Sequence, residues 1–164
     1  MAVVAPPAPL PPPLAALAAA LVAAGVFPAD APPDHALLND YAPGEGILPH
    51  TDGPAYQPRV ATLSLGSAAT LVFSARGPPP APLLEVLLAQ NSLVVFDGEA
   101  YERCLHGVPP RAADAVGELA RCANAAVGGA PLPRGRRVSI TLRRARVEAA
   151  DTAAAAAAAA AADR

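Results

Sequence analysis

Residues 135–146 read GRRVSITLRRAR, and this stretch decides the fold class because its polar and apolar residues alternate. Successive side chains of a β-strand point to opposite faces, so a period of two predicts a strand with one polar and one apolar face. The apolar face, which we expect to pack against a core, carries Val138, Ile140 and Leu142. The polar face carries Arg137, Ser139, Thr141 and Arg143.

Short strands of the same kind are predicted through most of the chain. Alternating or continuous apolar runs are separated by turn-forming residues. They occupy residues 36–41, 46–52, 59–66, 69–76, 83–89, 92–98, 101–108 and 136–144. Eight short strands predict a mainly β fold, a double-stranded β-helix (jelly-roll) in which two sheets face each other, with a short N-terminal helix packed on it.

The predicted helix lies in the sequence LAALAAALVAAG, residues 14–25, and Gly25 and Pro28 should end it. A secretory signal peptide is the alternative, because no charged side chain occurs before Asp30. The basic region that should open such a signal is missing, and the apolar run is too short to span a membrane. We therefore expect a packed helix and no membrane association.

Length and composition indicate one domain. The chain has 164 residues, of which 53% are apolar, and its net charge of −2 gives no general attraction to nucleic acid. Residues 1–13 are rich in Pro and Ala and are predicted to be a disordered lead-in, and residues 148–164 form an Ala-rich tail. The domain itself spans residues 14–147. Within it, residues 111–135 are predicted to be a flexible insertion, with a helical turn near residues 116–123.

Three residues form a candidate metal site. His50 and Asp52 are two apart in ILPHTDG, so a strand would direct both to one face, and His106 lies downstream in ERCLHGV. Two histidines and one carboxylate are the ligand set of mononuclear non-haem iron(II) centres, which keep open positions. A single histidine is more often packed or solvated, and His35, which has no partner motif, is interpreted as structural.

The arginines of residues 135–146 fall into two groups. Arg137 and Arg143 share the polar face and would hold a co-substrate that is a diacid. The arginines on the other face are Arg136, Arg144 and Arg146. Two interpretations of this second group stay open: they are solvated charges at a strand edge, or they contact phosphate.

Several motifs occur in one order along residues 14–147. They are N-x-Y, P-G-x-G, H-x-D, L-S-L-G, L-H-G and R-V-S-x-T-x-R-R. In this series the chain resembles the iron(II)- and 2-oxoglutarate-dependent dioxygenases of the AlkB family, and in particular the branch of the sixth human AlkB homologue. The resemblance implies a role for each matched position. The implied iron ligands are His50, Asp52 and His106. The implied contacts to 2-oxoglutarate are Asn39, Tyr41, Arg137, Ser139 and Arg143.

The resemblance also implies an activity. With iron(II), 2-oxoglutarate and O2, the protein would oxidatively demethylate alkylated nucleic-acid bases in methylated DNA or RNA, in the nucleus, the cytoplasm or both. No catalytic residue beyond the metal centre is implied. The motifs carry no information about oligomeric state.

The chain departs from the family pattern at its start. AlkB-type enzymes carry a nucleotide-binding lid before the jelly-roll, with aromatic and basic residues that hold a flipped base. Here the predicted helix begins almost at once, and Phe27 is the only aromatic residue before Tyr41. We expect the lid to be missing or truncated. Two alternatives to base demethylation stay open: a protein hydroxylase or demethylase with the same centre, and a non-catalytic binding protein that keeps the metal fold.

Overall fold

The computed structural model describes residues 8–125 and 129–146, and these form a mainly β fold, as predicted. The predicted tail and residues 1–7 of the predicted lead-in lie outside the described residues. The two helices are α1 (Pro12–Ala23) and α2 (Gly98–Glu102). The strands are β1 (His35–Tyr41), β2 (Ile47–His50), β3 (Tyr56–Gly66), β4 (Ala69–Ala75), β5 (Ala81–Leu88), β6 (Ser92–Asp97), β7 (Cys104–Val108), β8 (Ala113–Asp114), β9 (Leu132–Pro133) and β10 (Arg137–Ala145).

Eight of these strands form two four-stranded antiparallel sheets. The first sheet has the order β1-β10-β3-β6, and the second has the order β2-β7-β4-β5. Their inner faces meet in one apolar core. Its buried members from both sheets are Val60, Ala69, Leu71, Phe73, Leu88, Phe96 and Val108. The jelly-roll prediction is confirmed, and each of the eight predicted runs overlaps one strand of the two sheets. Residues 98–102, which the runs at 92–98 and 101–108 placed partly in strands, form the short helix α2 instead.

Helix α1 covers the outer face of the first sheet. Leu21 of the helix and Phe27 after it pack with Ala61 and Leu142, so the sheet has apolar contacts on both faces. The helix begins at Pro12, because proline is tolerated in a first turn, where the missing N–H has no helical partner. It ends at Ala23, close to Gly25, whose φ of 73° suits a helix end. Neither helix of the described residues has the length and apolar character needed to cross a membrane.

Residues 111–135 differ from the prediction in their local structure. No helix forms over residues 116–123. Instead Cys122 makes a parallel bridge with Glu85 of β5, and the strands β8 and β9 pair with each other. The Glu85 carboxylate is fully buried and accepts backbone N–H bonds from residues 117, 119 and 120 at 2.7, 2.7 and 3.2 Å. These bonds anchor the segment to β5, and its flexibility stays a prediction.

Strands β2 and β7 approach each other closely beside the candidate metal site. A Cβ atom built on Gly107 would lie 2.8 Å from the Ile47 carbonyl oxygen and 2.9 Å from the Pro49 nitrogen. Any side chain at this position would therefore push β2 away. The glycine of the L-H-G motif is what lets His50 of β2 lie directly opposite His106 of β7.

Candidate metal and co-substrate site

The three predicted metal ligands come together between the two sheets. His50 and His106 are cross-strand partners, and their ring centroids are 4.5 Å apart. Asp52 lies two residues beyond the end of β2, so it reaches the site from the following loop and not from the strand itself. One ligand atom from each residue lies within 4.8 Å of the other two. The predicted set is assembled, although strand alternation does not account for Asp52.

The polar atoms of these side chains are arranged for a cation. The Oδ2 atom of Asp52 is buried and has no hydrogen-bond partner among the described residues, and it lies 3.8 Å from Nε2 of His106. Nδ1 of His50 lies 2.8 Å from the carbonyl oxygen of Leu48. Because a carbonyl only accepts, Nδ1 carries the proton and Nε2 is left free to bind a metal. A buried carboxylate oxygen facing two imidazoles is costly unless a cation lies between them.

Burial keeps His106 in the form that a metal requires. Its side chain is 10% exposed and packs against the ring of Phe96, with 4.9 Å between centroids. Burial lowers the pKa of His106 to about 4, with further lowering by His50 and Arg143 and an opposing effect of Asp52. The imidazole is therefore neutral at physiological pH, and a neutral imidazole can donate its lone pair to Fe(II).

Arg143 lies on the metal side of the site. Its NH1 donates a 2.6 Å hydrogen bond to Oδ1 of Asp52, and each of the two side chains is 7% exposed. The guanidinium carbon also lies 4.1 Å from the ring centroid of Tyr56. This structure therefore places Arg143 on a candidate metal ligand, and its contact with a co-substrate stays a prediction. Tyr56 was not among the predicted site residues.

Arg137 is buried without a carboxylate partner among the described residues. It is 5% exposed, its NH2 donates a 2.9 Å hydrogen bond to the hydroxyl of Ser64, and its guanidinium lies 5.4 Å from the ring centroid of Tyr41. Burial lowers the pKa of Arg137, and Arg134 lowers it further, whereas Tyr41 raises it. A buried guanidinium is strongly disfavoured unless an anion compensates its charge. An anionic ligand in the cavity would supply that compensation.

One cavity joins Arg137 to the metal ligands. The predicted residues that line it are Asn39, Tyr41, His50, Asp52, His106, Arg137 and Ser139. Arg143 is not among its lining residues, which fits its position behind Asp52. Thr62 and Thr141 also line the cavity, and their hydroxyls are 3.0 Å apart. Thr141 could have been predicted from its place on the polar face of β10. Thr62 and Ser64 alternate with Leu63 and Leu65 in β3, so the same alternation could have indicated them.

The residues present therefore fit Fe(II). Ligand atoms of two imidazoles and one carboxylate lie within 4.8 Å of one another, and Oδ2 of Asp52 is buried without a hydrogen-bond partner among the described residues. This donor set suits a mononuclear iron(II) centre with open positions. The cavity that the three residues line is also lined by the buried Arg137.

Comparison with known proteins agrees with this geometry. Residues 3–143 match the profile of the 2OG-Fe(II) oxygenase superfamily. The chain is 37% identical over 122 residues to the probable RNA/DNA demethylase ALKBH6 of Danio rerio, covering 67% of this chain and 52% of that protein. It is 34% identical over 115 residues to the uncharacterized protein L905 of Acanthamoeba polyphaga mimivirus, covering 70% and 49%. The chain thus spans about half the length of these two relatives.

A third relative and a solved structure extend the comparison. The chain is 32% identical over 127 residues to the tRNA (carboxymethyluridine(34)-5-O)-methyltransferase alkbh8 of Xenopus tropicalis, covering 74% of this chain and 20% of that protein. The structure of OsALKBH1 superposes with a TM-score of 0.53 at 18% identity, over 82% of this chain and 64% of that one, which supports the fold. Superfamily members use Fe(II), 2-oxoglutarate and O2, as predicted for this chain. The chain belongs to the 2OG-Fe(II) oxygenase superfamily and, within it, to the AlkB family.

Proposed function

We propose that this protein is an iron(II)- and 2-oxoglutarate-dependent dioxygenase that oxidatively demethylates alkylated nucleic-acid bases. One observation carries the proposal. The triad of His50, Asp52 and His106, of which His106 is buried, lines the same cavity as the buried guanidinium of Arg137, which has no carboxylate partner among the described residues. A cation site and an anion site in one cavity suit a metal that is bound together with a carboxylate co-substrate.

Each residue then has a defined task. The triad holds the metal from one side. Arg137 binds the far carboxylate of 2-oxoglutarate with its planar fork, which can grip two oxygens at once. Asn39, Tyr41 and Ser139 line the same cavity and contact the co-substrate. Iron with 2-oxoglutarate and O2 supplies the oxidation of a C–H bond, and the apolar cavity wall keeps water away from that reaction.

Nucleic acid is the proposed partner because of the relatives. One relative is named as a probable RNA/DNA demethylase and another as a tRNA methyltransferase. Arg136, Arg144 and Arg146 near β10 all have protein partners among the described residues. Arg136 pairs with Asp40, Arg144 pairs with Asp34, and Arg146 donates to the Tyr56 carbonyl. Substrate binding would therefore depend on the cavity mouth and not on general attraction to phosphate. We propose that the protein acts on such substrates in the nucleus, the cytoplasm or both.

The metal centre is tested by anaerobic titration of the full chain with Fe(II) and then 2-oxoglutarate. A keto acid that binds ferrous iron through two oxygens gives a weak visible charge-transfer band. We expect the band in the wild type and its loss in His50→Ala. Glu99→Ala is the control, because the Glu99 side chain is 83% exposed and does not line the cavity, and this variant should keep the band. A folded wild-type sample with no band would reject the dioxygenase and favour the non-catalytic binding protein.

The substrate is tested separately by product analysis. Succinate and formaldehyde should form together when the loaded enzyme meets methylated oligonucleotides, because demethylation releases the methyl carbon as formaldehyde. Methylated peptides of the same concentration should give only the background succinate. Formaldehyde from the peptides and none from the oligonucleotides would instead identify a protein demethylase with the same centre.

A further inference from the structure

A row of side-chain contacts runs from His35, the first residue of β1, to the candidate metal ligand Asp52. The ring nitrogen Nε2 of His35 lies 3.2 Å from the Tyr56 hydroxyl, and the two ring centroids are 5.0 Å apart. Tyr56 in turn lies under the Arg143 guanidinium, whose carbon is 4.1 Å from the ring centroid. Arg143 donates to Oδ1 of Asp52 at 2.6 Å. Neither His35 nor Tyr56 lines the cavity that holds the candidate metal and co-substrate sites.

The strand register brings these side chains together. His35 of β1 is the cross-strand partner of Arg143 of β10. On the other side of β10, Arg143 pairs with Val60 of β3, but Ala145 pairs with Tyr56, where a regular ladder would place Pro58. This irregularity draws the start of β3 toward β10. As a result, the Tyr56 ring is beneath the guanidinium of Arg143.

The arrangement decides which oxygen of Asp52 is free. Arg143 occupies Oδ1, so Oδ2 is the oxygen that faces Nε2 of His106. An arginine side chain has several rotatable bonds, so its guanidinium can adopt many positions. Stacking on an aromatic ring holds the guanidinium in one position and leaves its N–H groups able to donate hydrogen bonds. The hydrogen bond between His35 and Tyr56 fixes the ring that supports the guanidinium. Groups outside the ligand shell that orient a ligating carboxylate commonly alter metal affinity.

We propose that Tyr56 and His35 are positioning residues for the metal centre, which act through Arg143 to orient the carboxylate of Asp52. The inference rests on the proposed function, because it assigns these residues to the same iron site. It changes the interpretation of His35, which the sequence indicated to be structural. It also adds Tyr56, which no motif indicated.

The test measures metal binding and not turnover. Co(II) replaces Fe(II) in the full chain, because its visible absorption reports coordination geometry and its titration gives a dissociation constant. Tyr56→Leu removes the ring and should raise the Co(II) dissociation constant about tenfold, with a changed absorption spectrum. Tyr56→Phe keeps the ring and should lose less. His35→Ala should weaken binding in the same direction, and His35→Gln, which can still hydrogen-bond the tyrosine hydroxyl, should restore part of it.

Two controls separate positioning from general stability. Phe27→Leu removes a buried aromatic ring that packs under α1, so it should lower the Tm and leave Co(II) affinity unchanged. The second control introduces Tyr56→Leu into an Arg143→Met background. If Tyr56 acts through Arg143, the added change in dissociation constant should stay within about twofold, the usual error of additivity.

The outcomes are distinguishable. Positioning is overturned if Tyr56→Leu lowers the Tm but binds Co(II) as tightly as the wild type, or if its full effect persists in the Arg143→Met background. In those cases the iron site survives and only the roles of Tyr56 and His35 are lost. A wild-type chain that binds no Co(II) would reject the metal site and this inference together.

Discussion

Arg137 is the residue whose removal should separate co-substrate binding from metal binding. It is 5% exposed, and its NH2 donates a hydrogen bond to the Ser64 hydroxyl. Arg137→Ala should remove a charge-assisted hydrogen-bonded pair with 2-oxoglutarate, a loss of roughly 1.5 to 3 kcal/mol, and so weaken its binding about ten-fold to over a hundred-fold. The measurement is the apparent KM for 2-oxoglutarate in uncoupled succinate formation.

The neighbouring arginine is the control for this measurement. Arg136 is exposed and pairs with Asp40, so Arg136→Ala should leave the KM for 2-oxoglutarate unchanged. Fe(II) binding should be the same in both variants, because neither residue contacts the triad. An unchanged KM in Arg137→Ala would reject its assignment as the carboxylate-binding residue.

His106 predicts how the stability of the metal-free protein depends on pH. Its pKa is about 4 in the folded protein, whereas an unfolded histidine titrates near 6.5. Between these values the unfolded chain binds more protons, so the free energy of unfolding falls as the pH is lowered from 6.5 toward 4. Urea unfolding of metal-free wild type and His106→Gln across this range checks the expectation. The variant should lose less stability on acidification, and parallel pH curves would contradict the assignment.

At the residue scale, the sequence predicted the groups that we propose to carry the chemistry, and it did not predict the groups that we propose to orient them. His50, Asp52 and His106 could be predicted because their spacing is part of a recognisable motif series. The placement of Tyr56 beneath Arg143 depends on a register irregularity between β3 and β10. No local pattern contains that irregularity, because it arises only when two distant strands pair.

The element scale shows the same division between local and distant interactions. Strand β10 and its neighbours could be predicted because alternation is a property of consecutive residues. The structure of residues 111–135 could not, because its anchors are distant in sequence. Arg134 donates to both carboxylate oxygens of Asp114 at 2.6 Å, and the segment also bonds Glu85 of β5. The sequence of residues 111–135, considered without these distant partners, is that of a polar loop.

The buried pair in this segment should carry much of its stability. Asp114 is 1% and Arg134 is 8% exposed. Burial would raise the pKa of Asp114, but the hydrogen bonds from Arg134 and Arg111 lower it below its usual value. Asp114→Ala should leave a buried guanidinium without its carboxylate, and we expect a loss of about 3 to 5 kcal/mol in the free energy of unfolding by urea.

An exposed pair is the matched control for Asp114. Asp40→Ala breaks the ion pair with Arg136, whose side chain is 72% exposed, and should leave the free energy of unfolding nearly unchanged, because solvent screens exposed ion pairs. Equal effects of the two substitutions would show that burial of Asp114 does not determine its contribution. That result would favour the original prediction that residues 111–135 are flexible.

The core of the whole molecule is built from apolar residues, and none of the three candidate metal ligands is among them. The two sheets pack together through Val60, Leu71, Phe73 and Phe96, and α1 covers the outer face of the first sheet. The triad lies at one side of this core and joins β2 to β7 and to the loop that carries Asp52. The fold should therefore form without iron, and the ion should add stability to a structure that already exists.

The effect of the metal on the Tm tests whether the apolar core folds without iron. A ligand that binds only the folded state adds RT ln(1 + [L]/Kd), or about 2.7 kcal/mol at a hundred times its Kd. Removing metal with a chelator should lower the Tm of the wild type while the far-ultraviolet circular dichroism stays that of a folded β protein. Restoring Fe(II) without oxygen should recover the Tm in the wild type and not in His50→Ala. Unfolding of the chelated wild type at ambient temperature would show instead that the core needs the ion, and equal recovery in His50→Ala would place the stabilising metal elsewhere.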